Sequence, residues 1–434
     1  MDDTPSPEQS KPGLASRLAR ASVFKRLGPG LITGAADDDP SGIATYSQAG
    51  SQCGVNMLWT VILTCPMMAA IQSVSARIGR VTGHGLAANM AHHFPRPLVG
   101  FLVGLLFIAN TVNIGADLAA MGASAHLVSG WSPHLFTIAF ALFSLLLQIF
   151  VPYHRYVGFL KWLTLALFAY VGIVFAVRID WSETLARSVV PHLPLNAQSL
   201  TTIVAVFGTT ISPYLFFWQA SEEVEDEEAD PDAAPLVERP DQAPEQLARI
   251  RWDTYLGMAF SNLIAYFIIL TAAETLFRAG ITNIQTTAEA ATALRPIAGE
   301  LAFFLFAMGV VGTGLLAVPV LAGSAADAIS EASGWTSGLE KKWRDAPAFY
   351  TVITLATLLG LALDYAPIDP ITALFWGAVL NGVIAVPIMV ATMLVASRKD
   401  EMGAFVATTS QRWLGWLATA LMGAAAATML ALAL

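Results

Sequence analysis

Apolar residues run along this chain in blocks of about twenty, separated by short polar stretches, and a block of that length spans a bilayer as an α-helix. The pattern predicts eleven spans, near 27–50, 55–76, 98–128, 134–152, 156–178, 200–221, 254–274, 298–323, 347–364, 370–396 and 412–433. Two of them are interrupted midway. One interruption reads Ala35-Ala36-Asp37-Asp38-Asp39-Pro40-Ser41-Gly42, the other Gly208-Thr209-Thr210-Ile211-Ser212-Pro213-Tyr214. Each ends in a helix-start signature, Asp39-Pro40 or Ser212-Pro213, because Asp and Ser cap helix N-termini and Pro suits the first helical position. A helix that stops and restarts at mid-membrane frees backbone groups there. Such groups are tolerated only inside protein or beside a cavity, and paired interruptions mark a transporter-like substrate site.

Composition agrees with this pattern. Of 434 residues, 55% are hydrophobic and 13% charged, against about 25% charged in a soluble domain. The expected class is an all-α integral membrane protein. The net charge of −9 says little about partners, because the acids concentrate in segment 222–248. Cys53 and Cys65 are the only cysteines, which leaves no disulfide framework or zinc spacing. Residues 1–26 are expected to be a disordered cytoplasmic tail. No Walker sequence, dinucleotide fingerprint or nucleophile elbow occurs, so neither an enzyme nor a cofactor is expected, and nothing suggests nucleic acid. The expected partners are a small inorganic ion and membrane lipid.

Basic residues set the expected orientation. With the N-terminus inside, 19 of the 23 Lys and Arg fall on the inner side, and only Arg178, Arg187, Arg278 and Arg295 fall outside. This places the chain in a cytoplasmic (inner) membrane with its C-terminus outside. The breaks fall in spans one and six. An odd number of spans between equivalent points inverts the second repeat, so the organisation predicted is a five-plus-five inverted repeat. Its halves are 27–178 and 200–396, with an acidic cytoplasmic loop at 222–248 and an extra helix at 412–433.

Particular residues now suggest a family. Gly28-Pro29-Gly30, Asp39-Pro40-Ser41-Gly42-Ile43-Ala44-Thr45 and Gln48-Ala49-Gly50 resemble the first span of the NRAMP metal-ion transporters, whose break reads DPGN. Asp117-Leu118-Ala119 is similar to that family's TDLAE stretch, and Met402-Gly403 after span ten also fits. The resemblance implies a LeuT-type fold with helices 1 and 6 broken. It also implies a metal site. Asp39 matches the liganding Asp, but Gly42 stands where the family has a liganding Asn. In span six Thr209 matches an Ala whose carbonyl binds metal, and Ser212 matches a Met whose sulfur does. Tyr214 and Gln219 stand at two histidines linked to proton handling. The chain therefore resembles a divergent, NRAMP-related branch.

These departures change the chemistry expected. Losing the thioether removes a soft ligand that helps select transition metals. The carboxylate of Asp39, the hydroxyls of Thr209, Thr210 and Ser212, and freed carbonyls make a hard, all-oxygen set suited to Mg²⁺, Ca²⁺ or Mn²⁺. The expected function is transport of a divalent cation, Mg²⁺ or Mn²⁺, by alternating access, with Asp38 and Asp117 as accessory or coupling residues. The alternative is a Na⁺-coupled symporter of a small anion such as bicarbonate, held at the helix N-terminus after Ser212.

Other polar positions have two readings each. Asp37 and Asp38 either line a water path or pair with Lys or Arg. Asn110, Asn113 and Asn381 either bond between helices or line a path. Lys161 is expected to snorkel at a span end. His84, His92 and His93 read as a solvated loop more readily than a metal tract. The run Glu222 to Asp230 either concentrates cations at the inner mouth or is a solvated linker, and reads more readily as the linker. Gly312-Thr313-Gly314 and Gly323-Ser324 read as close helix packing.

Overall fold

The structure is a computed structural model and describes residues 29–153, 155, 163–192 and 196–433. The tail at 1–26, Lys161 and much of the first half of span five lie outside the described residues.

The described residues are helical throughout, without strands. Eight stretches are long and apolar enough to cross a membrane. The first of these, Pro40–Thr82, joins the second half of span one to span two. Pro347–Leu363 is a shorter apolar helix, and Phe168–Ala176 belongs to span five.

Both breaks form where they were expected. Helix α1 (Pro29–Asp37) stops at the acidic triplet, and α2 (Pro40–Cys53) restarts at Pro40. Asp39 is extended (φ −70°, ψ 172°) and its carboxylate accepts from the Gly42 amide, so it caps α2. The chain then turns at Gly54, whose φ of 59° favours glycine, and enters α3 (Leu58–Thr82). A short helix α4 (Leu86–His93) precedes α5 (Arg96–Ser129) and α6 (Pro133–Phe150). The second break separates α7 (Ala197–Thr210) from α8 (Pro213–Glu228). Then follow α9 (Ala243–Ala272), α10 (Ala302–Ser333), α11 (Pro347–Leu363), α12 (Pro370–Ala396) and α13 (Thr409–Ala433).

Small residues decide how the broken helices pack. A Cβ on Gly30 would stand 2.7 Å from the Thr254 nitrogen, and one on Gly34 or Gly50 would collide with the carbonyl of Gly257 or Ile269. The partner number rises with the helix number, so α1 and α2 run parallel to α9 at backbone contact. Across the second break, a Cβ on Gly208 would collide with Ala378 and Gly382 of α12. Gly314 and Gly323 of α10 make room for Met121 and Trp218, which bears out the close-packing reading.

Polar side chains inside the bundle tie helices together. Asn113 donates to Asn381 at 3.0 Å. Asn110 donates to the Leu321 carbonyl at 2.8 Å and to Ser324 at 2.9 Å. These asparagines are interhelical links. His92 and His93 lie at the end of α4 rather than in a loop, with His93 3.1 Å from Glu401.

One expectation needs correction. The acidic segment 222–248 is not a loop throughout: residues to Glu228 continue α8, and α9 begins at Ala243. Arginines on neighbouring helices make this possible. Arg80, 2% exposed, pairs with Glu227 at 2.7 Å and also donates to the Ala234 carbonyl and Gln242. Arg249 pairs with the fully buried Glu223 at 2.5 Å. Opposite charges at these positions remove the self-repulsion that would melt an isolated acidic helix.

Candidate functional site

The two breaks meet in the middle of the bundle. Asp39 is 3% exposed; its Oδ1 accepts from the Gly42 amide at 2.6 Å and its Oδ2 from the Tyr214 hydroxyl at 3.3 Å. The same hydroxyl lies 3.3 Å from the Ala36 carbonyl. Tyr214 therefore stitches the end of α1 and the start of α2 to the start of α8. On the other side of the break, the Tyr46 and Thr210 hydroxyls are 2.9 Å apart, joining α2 to α7.

Three further carboxylates are buried here. Asp37, Asp38 and Asp117 are 1%, 2% and 0% exposed. Ser261 of α9 donates to Asp37 at 2.5 Å and lies 3.2 Å from Asp38. Asp37 Oδ1, Asp38 Oδ2 and both oxygens of Asp117 have no hydrogen-bond partner. Helix α5, which carries Asp117, packs against α2 just beyond the break. Among the described residues no ion pair involves any of these four acids, so Asp37 and Asp38 do not pair with Lys or Arg.

Hydroxyl hydrogens near the break are already committed. Ser212 donates to the carbonyls of Gly208 (3.0 Å) and Thr209 (2.8 Å), and Thr210 donates to Val206 at 2.7 Å. Thr210 having spent its hydrogen, Tyr46 is the donor in their pair. This corrects the expectation that Ser212 caps α8: its side chain makes no capping bond. It turns back instead to the buried carbonyls that the break frees at the end of α7. The Ser212 and Thr210 hydroxyls therefore face the site with oxygen lone pairs rather than free hydrogens.

The remaining candidates take their places on the same walls. Thr209 is 3% exposed at the end of α7. Gly42 faces Asp39: a Cβ there would meet the Asp37 carbonyl and Tyr46 at 3.4 Å and Asp39 Oδ1 at 3.6 Å, ordinary contacts. Gln219, five residues beyond Tyr214, is fully buried, with neither amide atom partnered. Sequence reasoning missed Ser261 and Tyr46. Ser261 could have been read from Ser261-Asn262, a polar pair within an apolar span, and Tyr46 lies two helical turns beyond Asp39. Among the described residues no three His, Cys, Asp or Glu side chains converge tightly enough to cage a metal by themselves. Successive positions point about 100° apart, so the triplet fans out rather than closing on one point.

Two interrupted helices, packed break against break in an all-helical bundle, define a transporter fold of the LeuT type. Solved structures share it. The Eremococcus coleocola manganese transporter, in complex with an aromatic bis-isothiourea substituted compound, is similar with a TM-score of 0.75 and 14% identity, over 96% of this chain and 87% of that one. Mhp1, a nucleobase-cation-symport-1 family transporter in a closed conformation with bromovinylhydantoin bound, gives a TM-score of 0.56 at 15% identity, over 93% and 92%. In sequence, the family described as natural resistance-associated macrophage protein-like (Nramp) matches residues 30–432, and the chain belongs to it. One relative is the divalent metal cation transporter MntH of Klebsiella pneumoniae subsp. pneumoniae, 24% identical over 427 residues, 94% of each chain.

Proposed function

We propose that this protein is a secondary transporter that moves a divalent metal cation, Mg²⁺ or Mn²⁺, through a site at the helix breaks. One observation carries the reading: Asp37, Asp38, Asp39 and Asp117 are buried at the breaks and no cationic side chain among the described residues pairs with them. Buried carboxylates demand a neutralising charge, and a divalent cation supplies it. Asp39 is the main ligand. Thr209, Ser212 and the carbonyls around them line the site, with Gly42 beside Asp39. Family membership supports the same class, since MntH is named as a divalent metal cation transporter.

The donor set is oxygen only, and Gly42 supplies no side-chain ligand beside Asp39. Mg²⁺ dehydrates reluctantly and binds through one or two carboxylates, which such a site suits. Tyr214 and Gln219, at the positions of the family's proton-linked histidines, carry no imidazole. Uptake is then driven by membrane potential, which supplies about 4.6 kcal/mol per 100 mV for a divalent ion, twice the single-charge value. Transport proceeds by one helix bundle rocking against the other around the site. The abundance of Lys and Arg on one side supports a cytoplasmic membrane location, with the N-terminus inside and the C-terminus outside.

The small-anion reading is weaker. The start of α8 lacks a side-chain cap, which leaves its amides available. An anion there would face Asp39, and the Ser212 and Thr210 hydrogens it needs are spent on carbonyls. Calorimetric titration of purified protein with Mg²⁺, Mn²⁺ and bicarbonate, the last with and without Na⁺, separates the two. Saturable divalent binding, lost in Asp39→Ala, is the expected result. Na⁺-dependent bicarbonate heat without divalent binding overturns it.

A further inference from the structure

A second group of acids gathers at the end of the bundle that holds Arg80. Glu222 and Glu225 share a face of α8, and Asp327 and Glu331 share a face of α10. Glu222 is repelled by Glu225, Asp327 and Glu340, and Asp327 by Glu225 and Glu331. Glu222 lies ten residues, about 15 Å of helix, beyond Ser212, so this group is separate from the breaks.

The basic side chains nearby are mostly occupied. Arg80 holds Glu227 and Arg249 holds Glu223. Lys341 acts on Glu225 and Asp327, but its ammonium pairs with Glu228 at 3.2 Å. Two of the acids have structural work. Glu331 accepts from Ser221 at 2.7 Å and from the Ala87 amide at 3.0 Å, at the start of α4. Glu225 accepts from the Leu339 and Glu340 amides at 3.1 and 3.4 Å. Asp327 has none: it is 2% exposed, its Oδ1 is without a partner, and it faces Glu225 and Glu331.

We propose that this cluster is a second divalent-cation site, where a hydrated ion bridges α8, α10 and the segment around Leu339 and Glu340. A buried carboxylate with no donor calls for a neutralising partner, and one Lys does not balance this group. The ion keeps most of its water shell, because among the described residues no three of these side chains stand at direct-ligation distance from one point. Mg²⁺ and Mn²⁺ suit that arrangement: one or two carboxylates bind directly, and bound waters donate to the rest. Since α8 is the second half of a broken helix, an ion here fastens it to α10 and resists opening at this end.

The inference stands apart from the role of Asp39, and the test keeps the two distinct. Purified full-length protein is titrated calorimetrically with Mn²⁺. Wild type is expected to bind two ions per chain, Asp39→Ala one, and Asp39→Ala with Asp327→Asn none. Glu222→Gln in the Asp39→Ala background serves as the second variant, since Glu222 makes no hydrogen bond that the fold depends on, and it is expected to weaken the remaining site at least tenfold. Complete loss of binding in Asp39→Ala alone overturns the second site, as does unchanged binding in both double variants. Wild type binding one ion, kept in Asp39→Ala and lost in Asp327→Asn, supports the second site and refutes the role given to Asp39.

Discussion

Asp39 does two jobs, and replacing it with Asn separates them. It caps α2 through the 2.6 Å bond from Gly42, and it supplies charge to the ion. Asn caps almost as well as Asp, whereas Ala costs about 1 kcal/mol at such a position. The charge is worth more. Two unit charges 4 Å apart interact by about 4 kcal/mol at an effective dielectric constant of 20. Retained water weakens the attraction and the second ionic charge strengthens it, so a loss of about 2–4 kcal/mol is expected on removing the carboxylate. That is roughly a 30- to 1,000-fold weaker Kd at 1.4 kcal/mol per decade. The assay pairs thermal unfolding in detergent with Mn²⁺ titration of Asp39→Asn and Asp39→Ala. Asp39→Asn is expected to unfold near the wild-type temperature and bind at least 30-fold more weakly, while Asp39→Ala loses both binding and some thermal stability. Wild-type affinity in a stable Asp39→Asn would refute the reasoning, because the charge would then contribute nothing.

Other predictions follow from the same geometry. Gly42→Asn places its Cβ at ordinary contact distances and adds a carbonyl beside Asp39; combined with Ser212→Met, it should raise the Mn²⁺ over Mg²⁺ preference at least severalfold, and an unchanged ratio in competition titrations would count against the cation site. Gly34→Ala puts a methyl group into the Gly257 carbonyl and should sharply reduce the yield of monodisperse protein; normal yield would mean α1 and α9 are not at backbone contact. Arg80→Ala removes the partner of the half-buried Glu227 and two further hydrogen bonds and should cost about 1–3 kcal/mol, read as a lower unfolding temperature; partial rescue by Glu227→Gln tests whether the orphaned charge is the cause. Uptake into vesicles should follow membrane potential and ignore an imposed pH gradient, because Tyr214 and Gln219 carry no titrating imidazole; pH-driven uptake at zero potential would refute this.

The helix breaks were legible because two local rules coincide there: a polar interruption inside an apolar span, and an N-cap followed by proline. The same logic placed Asp39, whose cap bond is local in sequence. Ser212 was misread because the capping rule looks forward along the chain, whereas its hydroxyl looks back to carbonyls that only a break leaves free. Local pattern could single out Ser261 and Tyr46 but not name their partners, which lie 224 and 164 residues away. The acidic run failed for a related reason. Composition alone makes it a solvated linker, and the arginines that keep it helical come from α3 and α9. Small residues were read correctly as packing sites, but not which backbone each would meet.

The central claim is that a divalent cation crosses at the breaks with Asp39 as its ligand. Flux of Mn²⁺ and Mg²⁺ into proteoliposomes under an inside-negative potential tests it most directly, with wild type and Asp39→Asn side by side. The account predicts saturable uptake by wild type that rises with potential and falls to the protein-free background in Asp39→Asn. Equal uptake by the two proteins, or no divalent uptake by wild type, would contradict it.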